Sequence, residues 1–358
     1  VQSICQVVED PGIVVRATSF LPRRLGDPAA MAAEAQLWLD AAPVWSVQLG
    51  LMAAWAAVWF FALPALRDRV FKPVIAKKPW RDRWTALNRA MIKKMTWTEF
   101  DEALAFHTAC DFLSIITQHA LGGFMAMPSA IGLQVVPGAI RGALARHGAL
   151  CEAGWELQDI VVRSCFFVFT EDGRKANPPG LLLIFALHHI MGISMVVPMN
   201  MYYGQNTYYH ELVFMLQLAA FTSMFSQQYG FTLDPKTRAG LAQMQVSVVA
   251  SCLMVFYSRA GRYLVVGYHL LVMLYTSGAR VMLVGGIVTL LSMSVVNFNF
   301  CAESIAKLRK FMRMRPEDEA VETQIVDASS PIEPCPMSPV RASSPTSFGA
   351  AQERKKEN

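Results

Sequence analysis

Ionisable and hydrogen-bonding side chains recur at regular spacing inside stretches that are otherwise apolar. His107, Asp111, Ser114 and Gln118 fall at offsets 0, 4, 7 and 11, and Glu152, Glu156, Asp159 and Arg163 repeat those offsets. That spacing puts each set on one face of a helix. His188 and His189 stand side by side within LLLIFALHHIMGISMVVPMN, where neighbouring side chains point about 100° apart. A neutral imidazole in such a setting can shuttle a proton or attack as a nucleophile, or it can be a hydrogen-bonded core residue. The stripes likewise suit two roles. One is glue between helices, with Asp159 and Arg163 pairing at i, i+4. The other is the lining of a shared polar cavity, because ionisable groups at membrane depth face a protected interior. On the second reading His188, His189 and Asp159 are the candidate catalytic residues. Asp111, Arg163, Gln217 and Arg259 are then candidates for holding substrate.

Other chemistries lack their residues. Of the seven histidines, at 107, 119, 147, 188, 189, 210 and 269, only two are adjacent, and no HxxHH or HxxxH box occurs. The sequence therefore predicts no histidine-rich metal site, no metal and no resident cofactor. GxGxxG, Walker A, GxSxG and HExxH are absent as well. The seven cysteines form no CxxC pair and lie mostly in apolar runs, which predicts reduced core thiols and not a disulfide frame.

The elements that carry these groups must be membrane helices. Hydrophobic residues make up 54% of the chain and charged residues only 16%, against roughly a quarter charged in soluble domains. The expected fold is all-α: a polytopic transmembrane helix bundle of about seven spans. Residues 1–40 read as loose, without a cleavable signal peptide. Residues 41–66 are free of charge and form the first span. A basic loop follows over 67–99, with ten Lys or Arg between 67 and 98 against Asp68 and Asp82; basic short loops stay cytosolic. Further spans are expected near 103–127, 151–170, 180–203, 209–229, 241–257 and 281–301, separated by polar breaks at 171–179, 234–238 and 258–262. The run 263–276 is short for a crossing and could be re-entrant or interfacial. The net charge of +5 follows where basic residues flank spans and indicates no nucleic-acid surface.

Residues 313–358 are polar, rich in Pro and Ser and unpatterned, which predicts a disordered tail. Three Ser-Pro steps begin at Ser330, Ser338 and Ser344, and the chain ends Lys355-Lys356-Glu357-Asn358. The lysine pair resembles the dilysine retrieval signal of endoplasmic-reticulum membrane proteins, which a cytosolic coat reads. A cytosolic tail agrees with seven spans.

The order of these features resembles the TLC family of translocating-chain-associating and ceramide-synthase-like membrane proteins. Gly154-Trp155-Glu156-Leu157-Gln158-Asp159 matches the family's Gly-aromatic-x-x-x-Asp helix, and His188-His189 its His pair. Phe256-Tyr257-Ser258-Arg259 with Tyr263, and Asn297-Phe298-Asn299-Phe300 before a basic exit, follow in family order. The resemblance covers roughly 100–312 and implies a six-helix lipid-handling domain. It departs where ceramide synthases carry His-Asp-x-x-Asp: here Gln217-Leu218-Ala219-Ala220 stands, and a glutamine cannot act as a base.

Three functions remain in play. The first is a lipid-binding, lipid-sensing or regulatory protein of the endoplasmic-reticulum membrane acting on a sphingolipid or related lipid. The second is an acyltransferase of ceramide-synthase type, with acyl-CoA as co-substrate and one of His188 and His189 acting on the thioester. The third is a secondary transporter, against which stands the lack of an internal repeat.

Overall fold

A computed structural model describes residues 44–315, and every regular element among them is helical. In chain order these are α1 (Trp45–Ile75), α2 (Arg81–Thr96), α3 (Glu102–Ala130), α4 (Gly138–Phe169), α5 (Glu171–Ala176), α6 (Pro179–Tyr203), α7 (Thr207–Thr232), α8 (Arg238–Thr276) and α9 (Arg280–Arg313). Residues 1–43 and 316–358, which include the N-terminal region expected to be loose, nearly all of the tail expected to be disordered, the Ser-Pro steps and the Lys355-Lys356 pair, lie outside the described residues. Four helices, α1, α6, α8 and α9, are long and apolar enough to cross a membrane by length and composition. Helices α3, α4 and α7 have 29, 32 and 26 residues; α3 and α4 carry the polar stripes and α7 carries Gln217. Large apolar side chains point outward along the bundle, among them Phe61, Leu187, Leu253, Val281 and Phe298. That surface suits lipid, not water.

The polar breaks do their work as caps. Asp101 accepts from the amide of Leu104 at 2.7 Å to start α3, and Asn206 accepts from Tyr209 to start α7. Thr237 accepts from Gly240 at 3.0 Å to start α8. Each satisfies one of the amides that a helix start leaves without an intrahelical partner.

Three boundaries differ from the sequence expectation. The stretch 258–262 is no break: α8 runs through it as one 39-residue helix, with a π segment at Tyr257–Gly261. Its length is roughly 58 Å, and 263–276 is the last third of this one helix and not a separate element. Ser258 donates back to the carbonyl of Met254 at 2.6 Å, which helps to satisfy a carbonyl where the register widens. The basic region after residue 66 is also largely helical. Helix α1 passes from Pro64 through a π segment at Leu66–Phe71 to Ile75. Arg81–Thr96 then forms an amphipathic helix whose Trp84, Leu87 and Met91 join Phe100, Phe231, Leu241 and Phe311 in one core cluster. Third, the helix expected from 151 begins at Gly138.

Partners along each pair of helices fix an antiparallel register. Gln118 faces Glu152 between α3 and α4, Asp159 faces His189 between α4 and α6, and Arg259 faces Asn297 between α8 and α9. Small residues permit the closest approaches. A Cβ on Gly148 of α4 would lie 2.7 Å from the carbonyl oxygen of Gly122 in α3, and one on Gly154 would meet the backbone of α1. Between them these contacts carry α4 through the centre of the bundle, against α1, α3 and α6.

Candidate functional site

The polar face of α4 turns inward, and α6 brings His189 to it. The His189 imidazole is 1% exposed, and its Nε2 lies 3.0 Å from Asp159 Oδ2. A carboxylate only accepts, so the hydrogen between them sits on Nε2, and Nδ1 is turned toward Glu156. The same Asp159 oxygen accepts from Arg163 Nε at 2.6 Å. Arg163 Nη1 donates to Asn177 Oδ1 at 2.9 Å, and Asn177 in turn donates to the Gly173 carbonyl. The guanidinium stacks on Phe185, 4.6 Å from the ring centre. A chain of hydrogen bonds therefore runs from the α5–α6 junction to the imidazole and fixes its orientation.

Glu156 sits one turn before Asp159 on α4, 4% exposed. Its Oε1 lies 3.9 Å from His189 Nδ1, and its Oε2 has no hydrogen-bond partner among the described residues. Gly192 of α6 faces this carboxylate; a Cβ there would lie 2.8 Å from Glu156 Cδ. A larger residue would fill the space that the carboxylate occupies. One turn further along α4, Glu152 accepts from Gln118 at 2.7 Å and lies 3.3 Å from His119 Nδ1. Trp155 stands between the two pairs, with its ring centre 4.9 Å from that of His119 and 5.3 Å from that of His189.

His188 is half-buried beside His189, their ring centres 5.5 Å apart. On the opposite side Arg259 reaches in from the π segment of α8. It donates to the Leu216 carbonyl and to Asn297, and lies over the Phe300 ring. It is within electrostatic reach of both Glu152 and His188. The late segments 256–259 and 297–300 thus meet each other beside the His pair.

The structure brings together Asp159, Arg163, His188 and His189, with Arg259 at the rim of the group. It does not bring Asp111 there. Asp111 pairs with Arg67 of α1 at 3.0 Å and with His107 at 3.6 Å, in a partly exposed cluster that includes Lys72. The two stripes meet only where Gln118 touches Glu152, because α3 and α4 run antiparallel and their far ends diverge in depth. Gln217 is buried, but its amide donates to the Gly148 carbonyl at 3.0 Å, and it sits against Gly122. It ties α7 to α3 and α4 beyond the cluster. Three members were not singled out in the sequence: His119, Trp155 and Asn177. Trp155 was visible as the aromatic of Gly154-Trp155, and His119 as the residue after Gln118. Asn177 carried no signal, since it arrives from a loop.

No family model matches the chain, and no curated protein or solved structure does.

Proposed function

We propose that the chain is a lipid-handling membrane protein of TLC-like kind, resident in the endoplasmic reticulum, which holds the polar group of a lipid inside its helix bundle at Glu156, His188 and His189. The observation that carries this reading is the concentration of fixed charge one helix away from the lipid-facing surface. Fixed charge at membrane depth is costly and marks function. Helix α6, which covers the cluster, is mostly outward-facing: Leu183, Ile184, Leu187 and Ile190 are all exposed. A lipid therefore reaches the cluster from the side of the bilayer, with half-buried His188 as the first group it meets. A second, shallow cleft lies between α7, α8 and α9 and combines Ser226, Ser251, Ser304 and Lys307 with Phe231 and Phe311.

The reading is tested with a photoactivatable long-chain base incorporated into membranes that contain the full chain. Light should attach it to peptides from α4 or α6. Glu156→Gln should lower labelling by about tenfold or more, since a hydrogen bond to a charged group contributes roughly 1.5–3 kcal/mol. Labelling confined to α9, or unchanged in the variant, would remove the site from lipid binding.

The Asp159–His189 pair favours acyl transfer as a second reading. A carboxylate that holds an imidazole by one nitrogen leaves the other ready to take a proton. Purified protein given acyl-CoA and a long-chain base would then release free CoA, and His189→Ala would abolish release.

We further propose seven crossings, made by α1, α3, α4, α6, α7, α8 and α9, with the 67–98 region and the tail in the cytosol. The connections support this. Residues 131–137, 204–206 and 277–279 contain no Lys or Arg, with Arg141 and Arg280 just inside the helices that follow, whereas the other side holds the ten basic residues of 67–98, in the end of α1, in α2 and between them, as well as Arg174, Lys175 and Lys236. That asymmetry follows the positive-inside pattern, and it puts the end of α9 on the cytosolic side. In sealed microsomes, added protease should remove a tag placed after Asn358; a protected tag would contradict the topology.

A further inference from the structure

We infer that Glu156, His188 and His189 bind a divalent first-row transition-metal ion that leaves coordination positions open toward the lipid. The inference rests on the reading of this cluster as the functional centre. Each of the three residues offers one donor atom, and the three atoms lie within 4.8 Å of one another. The two nearest the core have nothing to accept from: Glu156 Oε2 and His189 Nδ1 are both buried and lack a hydrogen-bond partner among the described residues. A buried carboxylate and a buried imidazole nitrogen 3.9 Å apart need a cation between them, which is either a shared proton or a metal ion.

The surroundings are prepared for one. Asp159 takes the hydrogen of His189 Nε2 and thereby aims the Nδ1 lone pair inward. This is the carboxylate–histidine–metal arrangement that orients ligands in metal sites, and Arg163 and Asn177 hold Asp159 in turn. Charge points the same way. With a metal ion bound Glu156 is ionised, so that Glu152, Glu156 and Asp159 bring three negative charges, against two positive charges from Arg163 and Arg259. A divalent ion converts the deficit into a surplus of one, which an anionic oxygen at an open position neutralises. Two imidazoles and one carboxylate suit zinc or ferrous iron, and not calcium or magnesium, which want oxygen donors. Bonds of roughly 2.0–2.2 Å place ligand atoms about 3.3–3.5 Å apart. The 3.9 Å between Glu156 Oε1 and His189 Nδ1 then needs to close by about half an ångström, and the full set, which lies within 4.8 Å, by about an ångström or more, a change that side-chain rotation supplies. The histidine boxes sought in the sequence would not reveal this site, because the third ligand comes from α4.

The experiment uses the full chain purified in detergent without chelators. Elemental analysis should find close to one zinc or iron per chain. After the metal is stripped, added Co²⁺ should give the ligand-field absorption of a site with nitrogen ligands, and Zn²⁺ should bleach it. Glu156→Gln and His188→Asn should abolish that spectrum, and Asp159→Asn should weaken Co²⁺ affinity by about 10–100-fold. The wild-type titration needs no variant, so misfolding of a variant cannot shield the inference. Less than about a tenth of an equivalent of metal with no cobalt spectrum would overturn it, and would leave a shared proton between Glu156 and His189. A spectrum unchanged in Glu156→Gln would overturn it too. If photolabelling by the long-chain base persists in protein that binds no metal, the metal fails and the lipid reading stands; metal binding without labelling separates them the other way.

Discussion

Asp159→Ala should destabilise the protein by about 3–5 kcal/mol, the loss expected when one partner of a buried ion pair is removed. The Asp159 carboxylate accepts from both Arg163 and His189. Without it, Arg163 keeps only Asn177 and the Phe185 ring, and His189 Nε2–H faces no acceptor. The cost comes from the stranded guanidinium, not from lost apolar contact, so a conservative change separates the two. Asp159→Asn preserves shape and one acceptor and should lose about 1–3 kcal/mol. Thermal unfolding in detergent, followed by retention of the monodisperse peak on size exclusion, measures both. Equal losses in the two variants would mean that the ion pair carries little of the stability.

The next largest effect is expected at Gly154. A Cβ there would lie 2.6 Å from Trp55 Cβ, 2.8 Å from the amide nitrogen of Ala56 and 2.9 Å from the Met52 carbonyl oxygen. Two of these are backbone atoms, which cannot rotate away, so α1 and α4 must separate. Gly154→Ala gains up to about 1 kcal/mol in helix propensity, but overpacking costs about 1–3 kcal/mol. Gly154→Val removes the propensity gain, adds volume and should be clearly the worse of the two. Gly230 is the control: a Cβ there meets nothing within 4 Å, and Gly230→Ala should leave the melting temperature unchanged or raise it. A wild-type melting temperature in Gly154→Val would show that α1 is held less tightly than the contacts imply. Because Trp59 Nε1 donates to the Cys151 carbonyl one turn away, separation of the helices should also alter tryptophan emission.

Helical class, membrane character and the inward face of α4 were legible in the sequence. Apolar runs near the length of a bilayer have few alternatives once backbone groups must be satisfied without water. A polar stripe at period 3.6 within such a run also says which face turns away from lipid. The Asp159–Arg163 pair is four residues apart, and so it was readable from local geometry alone. Boundaries were less legible where charge was used to find them. Residues 67–75 and 258–262 are polar enough to suggest loops, yet the helix persists through both, because a π segment costs less than breaking the hydrogen-bond ladder. Basic side chains there also find carboxylates, as Arg67 does in Asp68 and Asp111.

Only the tertiary structure decided which stripes meet. His107–Gln118 and Glu152–Arg163 have identical spacing, so the sequence offered no reason to separate Asp111 from Asp159. Their depths differ because α3 and α4 are antiparallel: Gln118 at the end of one stripe meets Glu152 at the start of the other, and the rest of each runs apart. Which member of the His pair faces inward was also undetermined, since adjacent residues on a helix point about 100° apart and either could be turned to the core. The packing of α6 on α4 selects His189, with Gly192 clearing the space for Glu156. Arg259 and Asn177 come from distant segments, one from a π turn of α8 and one from a loop. Their positions depend on how helices far apart in sequence pack, and local periodicity does not encode that.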